Sequence, residues 1–225
     1  MTWVANNLDL IASLTAAHLK QSALPIILGL LISIPLGWLA FRYRFTRGLI
    51  LTTSGLLYTI PSLALFALLP PLLGISFLSV ANLVIALTIY AVAIMVRSVA
   101  DALASIDPSV RSAAAAMGYG SWRQFWAVEL PLAGPVILAG LRVAAVSTIS
   151  LATVGILIGV ENLGYLFTNG LQRRIVPEVL AGVIAVMLIA LIVDLLLAAI
   201  GRLLMPWVPG RRSGRRALQS HVVNP

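Results

Sequence analysis

The chain has 225 residues, of which 60% are hydrophobic and only 10% are charged, and its mean hydropathy is +1.04. A globular domain of this size with such a composition would be insoluble, so lipid is the expected solvent for most of its surface. The chain has no cysteine, which excludes a disulfide framework, a thiolate nucleophile and a cysteine metal site, and its two histidines lie near opposite ends.

The first residues mix apolar and polar side chains. Leu8, Ile11 and Leu14 alternate with polar and charged residues over positions 8–19, which predicts an interfacial helix with His18 at its surface. Lys20 precedes the first long apolar stretch, and no small-residue cleavage site is evident. We therefore expect the first span to stay as an anchor, with its N-terminus outside.

Five stretches are long enough to cross a membrane, which takes about 20 mostly apolar residues. They cover approximately residues 24–41, 49–69, 78–96, 135–159 and 179–203. Pro61 interrupts the second stretch, and Pro70 and Pro71 are expected to end it; a broken helix is tolerated where it faces protein or a cavity. The sequence predicts an all-α membrane protein, a polytopic bundle of about five transmembrane helices that forms one domain from residue 1 to 225.

The net charge of +8 is distributed unevenly along the chain. Basic residues follow the first span, lie in or beside the loop 97–134, and follow the last span: Arg42, Arg44, Arg47, Arg97, Arg111, Arg123, Arg202, Arg211, Arg212, Arg215 and Arg216. These segments share one side of the membrane if the spans alternate, and the positive-inside rule makes that side cytoplasmic. The basic tail 204–225 is then a membrane-surface element rather than a nucleic-acid site.

The loop 97–134 is predicted to contain two short helices joined by a glycine turn. Asp107 can cap the first helix, Pro108 suits its first turn, and Gly118 or Gly120 can end it.

In the second helix of the loop, Ser121 and Gln124 have the spacing of a capping box. Trp122, Phe125 and Trp126 give this helix one apolar face.

Two ionisable residues lie inside predicted spans. Arg142 and Asp194 are each about 10 to 12 Å from the cytoplasmic edge at 1.5 Å per residue, so they are matched in depth. We expect an ion pair that helps to hold the last two spans together. The alternative is that Arg142 snorkels to the interface while Asp194 faces a wet cavity.

The loop also carries a longer pattern, formed by Ser112, Ala113, Ala114, Gly118, Val128, Leu130 and Pro131. Its spacing resembles the cytoplasmic EAA loop of type I binding-protein-dependent ABC importer permeases, in which Glu-Ala-Ala is followed by Gly and then by Leu-Pro. Serine stands at position 112 where that family has glutamate. The resemblance implies a coupling loop that sits in a groove of an ATPase subunit and transmits its closure.

Four further sequence segments, 32–42, 56–76, 129–150 and 193–207, resemble one group within that family. This group consists of permeases for osmoprotectants such as glycine betaine, choline, carnitine or proline betaine. That family usually has Gly-Gly-Leu-Gly near residue 159. This chain has Glu161, Asn162, Leu163 and Gly164, a departure that either alters contact with the substrate-delivery protein or leaves Asn162 to form the turn.

The resemblance implies a permease subunit of the bacterial plasma membrane, paired with a second permease that is identical or related. Two ATPase subunits would bind below and an extracytoplasmic substrate-binding protein above. The chain has no G-x-x-x-x-G-K-[ST] loop, so a partner would bind and hydrolyse ATP, and neither catalysis nor a cofactor is expected of this chain. A quaternary ammonium substrate would favour aromatic contacts, and the candidates are Tyr58, Tyr90, Trp38 and Phe66.

Three alternatives remain at this point. One is a permease of another type I importer, such as one for amino acids. Another is an ion-coupled secondary transporter that uses Asp194 as its coupling carboxylate, although no inverted repeat is visible. The third is an oligomeric channel in which small residues at 134–155 face the pore.

Overall fold

The computed structural model describes residues 2–207. The α-helices of that part are α1 (Thr2–Asn6), α2 (Leu8–Arg42), α3 (Arg44–Thr59), α4 (Ser62–Leu73), α5 (Val80–Ala104), α6 (Pro108–Ala116), α7 (Ser121–Gln124), α8 (Leu130–Ala152), α9 (Gly164–Gln172) and α10 (Val176–Leu204). A π-helical turn, Phe125–Glu129, joins α7 to α8, and a 3-10 turn, Thr153–Ile158, continues α8.

Four helical stretches are long and apolar enough to cross a membrane: Leu8–Arg42, Val80–Ala104, Ser121–Ile158 and Val176–Leu204. The pair α3 and α4, bent by 109°, makes a fifth span if it is counted as one. The predicted class, a polytopic helical membrane protein with about five spans, is therefore confirmed. Residues 208–225, which include most of the predicted basic tail, lie outside the described part.

The helix α5 is the centre of the bundle, and α2 and α8 pack closely against it. A Cβ atom on Gly29 would lie 2.5 Å from the Cβ of Ala91, and one on Gly37 would approach α5 equally closely. On the other side, a Cβ on Gly140 would lie 2.5 Å from the Cβ of Ser98. Small residues let helix backbones approach in this way, which maximises van der Waals packing where lipid removes the hydrophobic driving force.

The N-terminal segment differs from its prediction. The helix α2 begins at Leu8 and continues through Pro25 and Pro35, so residues 8–19 extend the first span instead of forming a separate interfacial helix. His18 is fully buried, with Nε2 3.0 Å from the carbonyl oxygen of Ile149 in α8, and the prediction of a surface histidine is wrong. The local pattern could not reveal that α8 covers this turn of α2.

The second span breaks at Pro61, as predicted, but it does not end at Pro70. The helix α4 continues to Leu73 and ends at Gly74, whose φ is +67°. Pro70 has no N–H for the carbonyl of Phe66, and the side-chain amide of Asn82 donates to that carbonyl instead, at 3.0 Å. A long-range hydrogen bond thus compensates a residue that usually stops a helix.

The flanking helices extend into the predicted loop 97–134, because α5 continues to Ala104 and α8 begins at Leu130. The predicted span 179–203 falls within α10. The helix α8 begins at Leu130, before the predicted start of the fourth span, because Pro135 is tolerated within a helix that follows the π-helical turn without interruption.

Candidate functional site

The helix α6 and the turn after it contain the first residues of the predicted coupling loop. Asp107 Oδ1 accepts a hydrogen bond from the backbone N–H of Ser109 at 2.8 Å, and this bond holds the pKa of the Asp107 carboxyl below its usual value. Pro108 is the first helical residue. Gly118 has φ +81°, in the left-handed region, and no heavy atom lies within 4 Å of a Cβ built there, so backbone conformation rather than space requires glycine. The predicted cap and turn are confirmed.

The residues of the loop pattern that lie in α6 point in different directions. Ala114 is buried, whereas Ser112 and Ala113 are exposed. The hydroxyl of Ser112 donates to the carbonyl of Pro108 at 3.1 Å, so it is used within its own helix. Beside the turn, Met117 is 70% exposed, which leaves an apolar side chain on the open face of the element.

A largely buried ion pair connects α6 to the π-helical turn. Arg111 Nε donates to Glu129 Oε1 at 3.0 Å, and the two side chains are 21% and 7% exposed. The Arg111 guanidinium also donates to the carbonyls of Ile106, at 3.1 Å, and of Leu103, and it lies 4.6 Å from the ring centre of Phe41. One side chain therefore connects α6 with the ends of α2 and α5 and with the π-helical turn that leads into α8.

Sequence reasoning missed this ion pair, since it treated Arg111 only as a topology signal. Glu129 was the available signal, a lone carboxylate between an apolar helix face and a membrane span. The predicted capping box is also wrong: Gly120 is the N-cap of α7, and Gln124 Nε2 donates to Glu129 Oε1 at 3.2 Å. Ser121 is therefore the first helical residue and not the cap, and the backbone N–H that a serine cap would have bound, that of Gln124, donates to the carbonyl of Gly120 at 2.8 Å.

The aromatic residues predicted for the second helix of the loop differ in burial. Phe125 is buried and its ring centre lies 5.6 Å from that of Trp38, whereas Trp122 and Trp126 are 67% and 47% exposed. Leu130 and Pro131, the last residues of the loop pattern, are the first two residues of α8.

The structure brings Arg142 and Asp194 together. Arg142 Nε lies 2.7 Å from Asp194 Oδ1, and Nη2 lies 2.6 Å from Oδ2, a two-point contact between α8 and α10. Their side chains are 40% and 25% exposed, respectively. The contribution of this pair to the stability of the two spans stays a prediction.

The four aromatic candidates separate into two groups. Tyr58 and Tyr90 stand together, with ring centres 6.2 Å apart, and line a cleft of about 270 Å³. Phe66 is fully buried in the core, and Trp38 packs against Phe125. Of the four, the tyrosine pair is placed where a small molecule could reach it.

The departure from the glycine-rich run forms a buried turn. Asn162 is fully buried and its Oδ1 accepts from the N–H of Gly164 at 2.8 Å. Its Nδ2 donates to Gln21 Oε1 at 3.0 Å and to the carbonyl of Ala152 at 2.8 Å. Asn162 thus shapes the turn, as one of the two sequence interpretations expected, and it also ties the turn to α2.

A bundle of long apolar helices, interrupted by a segment of short helices that begins at the capped α6, defines the class as a polytopic membrane protein. The chain belongs to the family described as the binding-protein-dependent transport system inner membrane component, whose model matches residues 26–208. This confirms the predicted permease family, a transport component of the inner membrane rather than an enzyme.

Two similar permeases and one solved structure match most of the chain. The chain is 34% identical over 206 residues to the osmoprotectant import permease protein OsmW of Salmonella typhimurium, covering 91% of this chain and 96% of that protein. It is 29% identical over 206 residues to the glycine betaine/carnitine/choline transport system permease protein OpuCB of Bacillus subtilis, covering 92% and 94%. A chain of the inward-facing MetNI methionine ABC transporter has the same fold, with a TM-score of 0.80 at 17% identity, covering 88% of this chain and 98% of that one.

Proposed function

We propose that this chain is the permease subunit of an ATP-driven importer for osmoprotectants with a quaternary ammonium group, such as glycine betaine, choline, carnitine or proline betaine. The observation that carries the proposal is the capped helix α6 with its Gly118 turn, supported from below by the Arg111–Glu129 pair. Support for the substrate class comes from the relatives, whose names specify osmoprotectants at 34% identity and glycine betaine, carnitine and choline at 29%.

The proposed assembly contains two copies of a partner ATPase, a second permease subunit and an extracytoplasmic binding protein. The N-terminus lies outside and the C-terminus lies in the cytoplasm of a bacterium, because the arginines at the ends of α2 and α10 mark the cytoplasmic side. The ATPases bind the exposed face of α6 around Ala113 and Met117. ATP is bound by those subunits, and no cofactor is assigned to this chain.

In the proposed mechanism, closure of the ATPases on ATP displaces α6. The Arg111–Glu129 pair and the cation–π contact with Phe41 carry that displacement to α8, α5 and α2 together. The spans then switch between inward-open and outward-open arrangements, a two-state equilibrium that ATP shifts by its different affinity for the two states. Ser112 stands where a glutamate would add a charged contact, so the apolar contacts of α6 contribute the larger share of binding to the ATPase.

Uptake of [14C]glycine betaine and [14C]choline by cells that express the chain with its partners tests the function. We expect uptake to stop when ATP is depleted and to continue when a proton uncoupler is given while ATP is maintained. Uptake that follows the proton gradient instead would favour a secondary transporter, with Asp194 as its carboxylate. Flux that needs neither ATP nor a gradient would favour a channel.

A further inference from the structure

The cleft that contains Tyr58 lies where the second span is broken. Its volume is about 270 Å³, and Ser62, Tyr90, Ser147 and Thr148 are among the residues that line it. This volume is close to the lower end of the range for small-molecule sites, roughly 300 to 1,000 Å³. Non-helical backbone at membrane depth is tolerated where it lines a cavity, and the break at Pro61 meets that condition.

The hydroxyl of Tyr90 fixes the geometry of the break. It donates to the carbonyl oxygen of Ile60 at 2.5 Å, in the short link between α3 and α4. Because this bond uses the hydroxyl, the Tyr90 ring is held in one orientation as a wall of the cleft. Tyr90 is 5% exposed, whereas Tyr58 is 53% exposed and stands at the open side.

The two tyrosine rings are nearly perpendicular, at 81°, with their centres 6.2 Å apart. A quaternary ammonium group has no N–H to donate, and it is attracted instead to the negative faces of aromatic rings. In this edge-to-face pair, Tyr58 is the ring with exposed surface, and the buried Tyr90 packs beside it. The remaining lining residues supply the hydroxyl groups of Ser62, Ser147 and Thr148, which can hydrogen-bond the carboxylate or hydroxyl end of such a substrate.

Electrostatics restricts what this cleft can bind. None of the residues that line it carries a formal charge. A metal ion, which needs carboxylate or carbonyl ligands, would therefore lose hydration without compensation. A site without a fixed counter-charge binds weakly, and weak binding suits a transport pathway because the substrate must also leave.

We infer that this cleft is a transport site of the permease, at which the ring of Tyr58, held in place by Tyr90, contacts the quaternary ammonium group of the substrate as it crosses the membrane. The inference rests on the proposed function and assigns residues of this chain to its substrate class. The substrate is held here only in passing, while the extracytoplasmic binding protein sets the affinity of capture.

The test uses the complete complex of permease, ATPase and binding protein in proteoliposomes. Uptake of [14C]glycine betaine and ATP hydrolysis are measured in the same vesicles for Tyr58→Phe, Tyr58→Leu and the control Tyr43→Leu. Tyr43 is a matched control because it is 52% exposed and does not line the cleft.

We expect Tyr43→Leu to transport within about twofold of the wild type, because it leaves Tyr58 in place. Tyr58→Phe, which keeps the aromatic face, should transport faster than Tyr58→Leu. Tyr58→Leu should lower the maximal rate about tenfold, which corresponds to ~1.4 kcal/mol and lies within the range of cation–π contacts. Its KM should not change, since the binding protein sets it. The ATP consumed per substrate should rise, because closure continues without a held substrate.

A second series of variants separates the loss of the aromatic face from misfolding of the protein. Tyr58 is replaced by phenylalanine and by its mono-, di- and trifluorinated analogues, which keep the shape of the ring while weakening its negative face. The maximal rate should fall stepwise with fluorination.

A flat fluorination series, or a Tyr58→Leu complex with the rate and ATP ratio of the wild type, would overturn the site and leave the proposed function standing. A wild-type complex that transports no quaternary ammonium compound would overturn both. An equal loss of rate in Tyr43→Leu and Tyr58→Leu would also contradict the site.

Discussion

Substitution of Glu129 by glutamine should loosen the connection between α6 and the membrane spans. Glutamine keeps the shape and one acceptor oxygen but removes the charge opposite Arg111. The Arg111 guanidinium keeps its bonds to backbone carbonyls and lies over Phe41, so it stays largely buried without a counter-ion.

The size of the expected stability loss follows from the burial of the Arg111–Glu129 pair. Breaking a buried ion pair costs about 3 to 5 kcal/mol when one partner is truncated, and a hydrogen bond to a charged group contributes about 1.5 to 3 kcal/mol. Because glutamine retains an acceptor, we expect Glu129→Gln to cost about 2 kcal/mol and Glu129→Ala to approach the upper figure. A cost of about 2 kcal/mol changes the unfolding equilibrium about 30-fold.

The chain offers a matched control in the ion pair between Arg47 and Asp101. Its atoms are 3.4 Å apart and its side chains are 40% and 55% exposed, so Asp101→Asn should cost at most about 1 kcal/mol. The assay is denaturant unfolding of the purified protein in mild detergent, followed by the ratio of uptake to ATP hydrolysis in the assembled complex. Glu129→Gln should lower both the stability and that ratio. A stability loss no larger than that of Asp101→Asn would refute the reasoning.

Three further predictions concern the spans, each measured by unfolding in the same detergent. Arg142→Gln and Asp194→Asn should each destabilise the protein, and the double variant should be no less stable than the worse single variant; simple additivity would contradict pairing. Asn162→Ala should cost about 1 to 3 kcal/mol because it leaves buried groups of the turn before α9 without partners, and a neutral effect would contradict that role. Gly29→Ala should cost about 1 to 3 kcal/mol by overpacking against α5, and Ala91→Gly should restore part of the loss; absence of rescue would contradict the close approach of α2 and α5 at these two positions.

Much of the fold was predictable because lipid imposes a length and a hydropathy on each span. The break at Pro61 and the turn at Gly118 were also predictable, since proline and glycine restrict or free the backbone locally. The positions of the break and of the left-handed turn follow from these two residues, whereas the Tyr90–Ile60 hydrogen bond fixes the geometry of the break.

What could not be predicted depends on contacts between distant segments. The side chain of Asn82 donates to the Phe66 carbonyl that Pro70 leaves without a helical donor, and α8 buries His18. In both cases the contacting residues are far apart in sequence. The Arg111–Glu129 pair was missed for the same reason, because an arginine on a cytoplasmic loop has the same sequence signal whether it marks topology or supports a joint. Local patterns specify elements, while the bonds between elements require the packed structure.

The central claim is that this chain binds an ATPase through α6 and the Gly118 turn, and a pull-down from native membranes tests it most directly. The tagged wild type, Gly118→Asp and Gly120→Asp are purified in mild detergent, and the eluates are assayed for a bound ATPase. Gly120 is the matched control, since it is an exposed glycine two positions away whose φ of −68° accepts any residue. We predict that wild type and Gly120→Asp retain an active ATPase while Gly118→Asp inserts normally but loses it. An ATPase retained equally by all three, or absent from the wild type, would contradict the account.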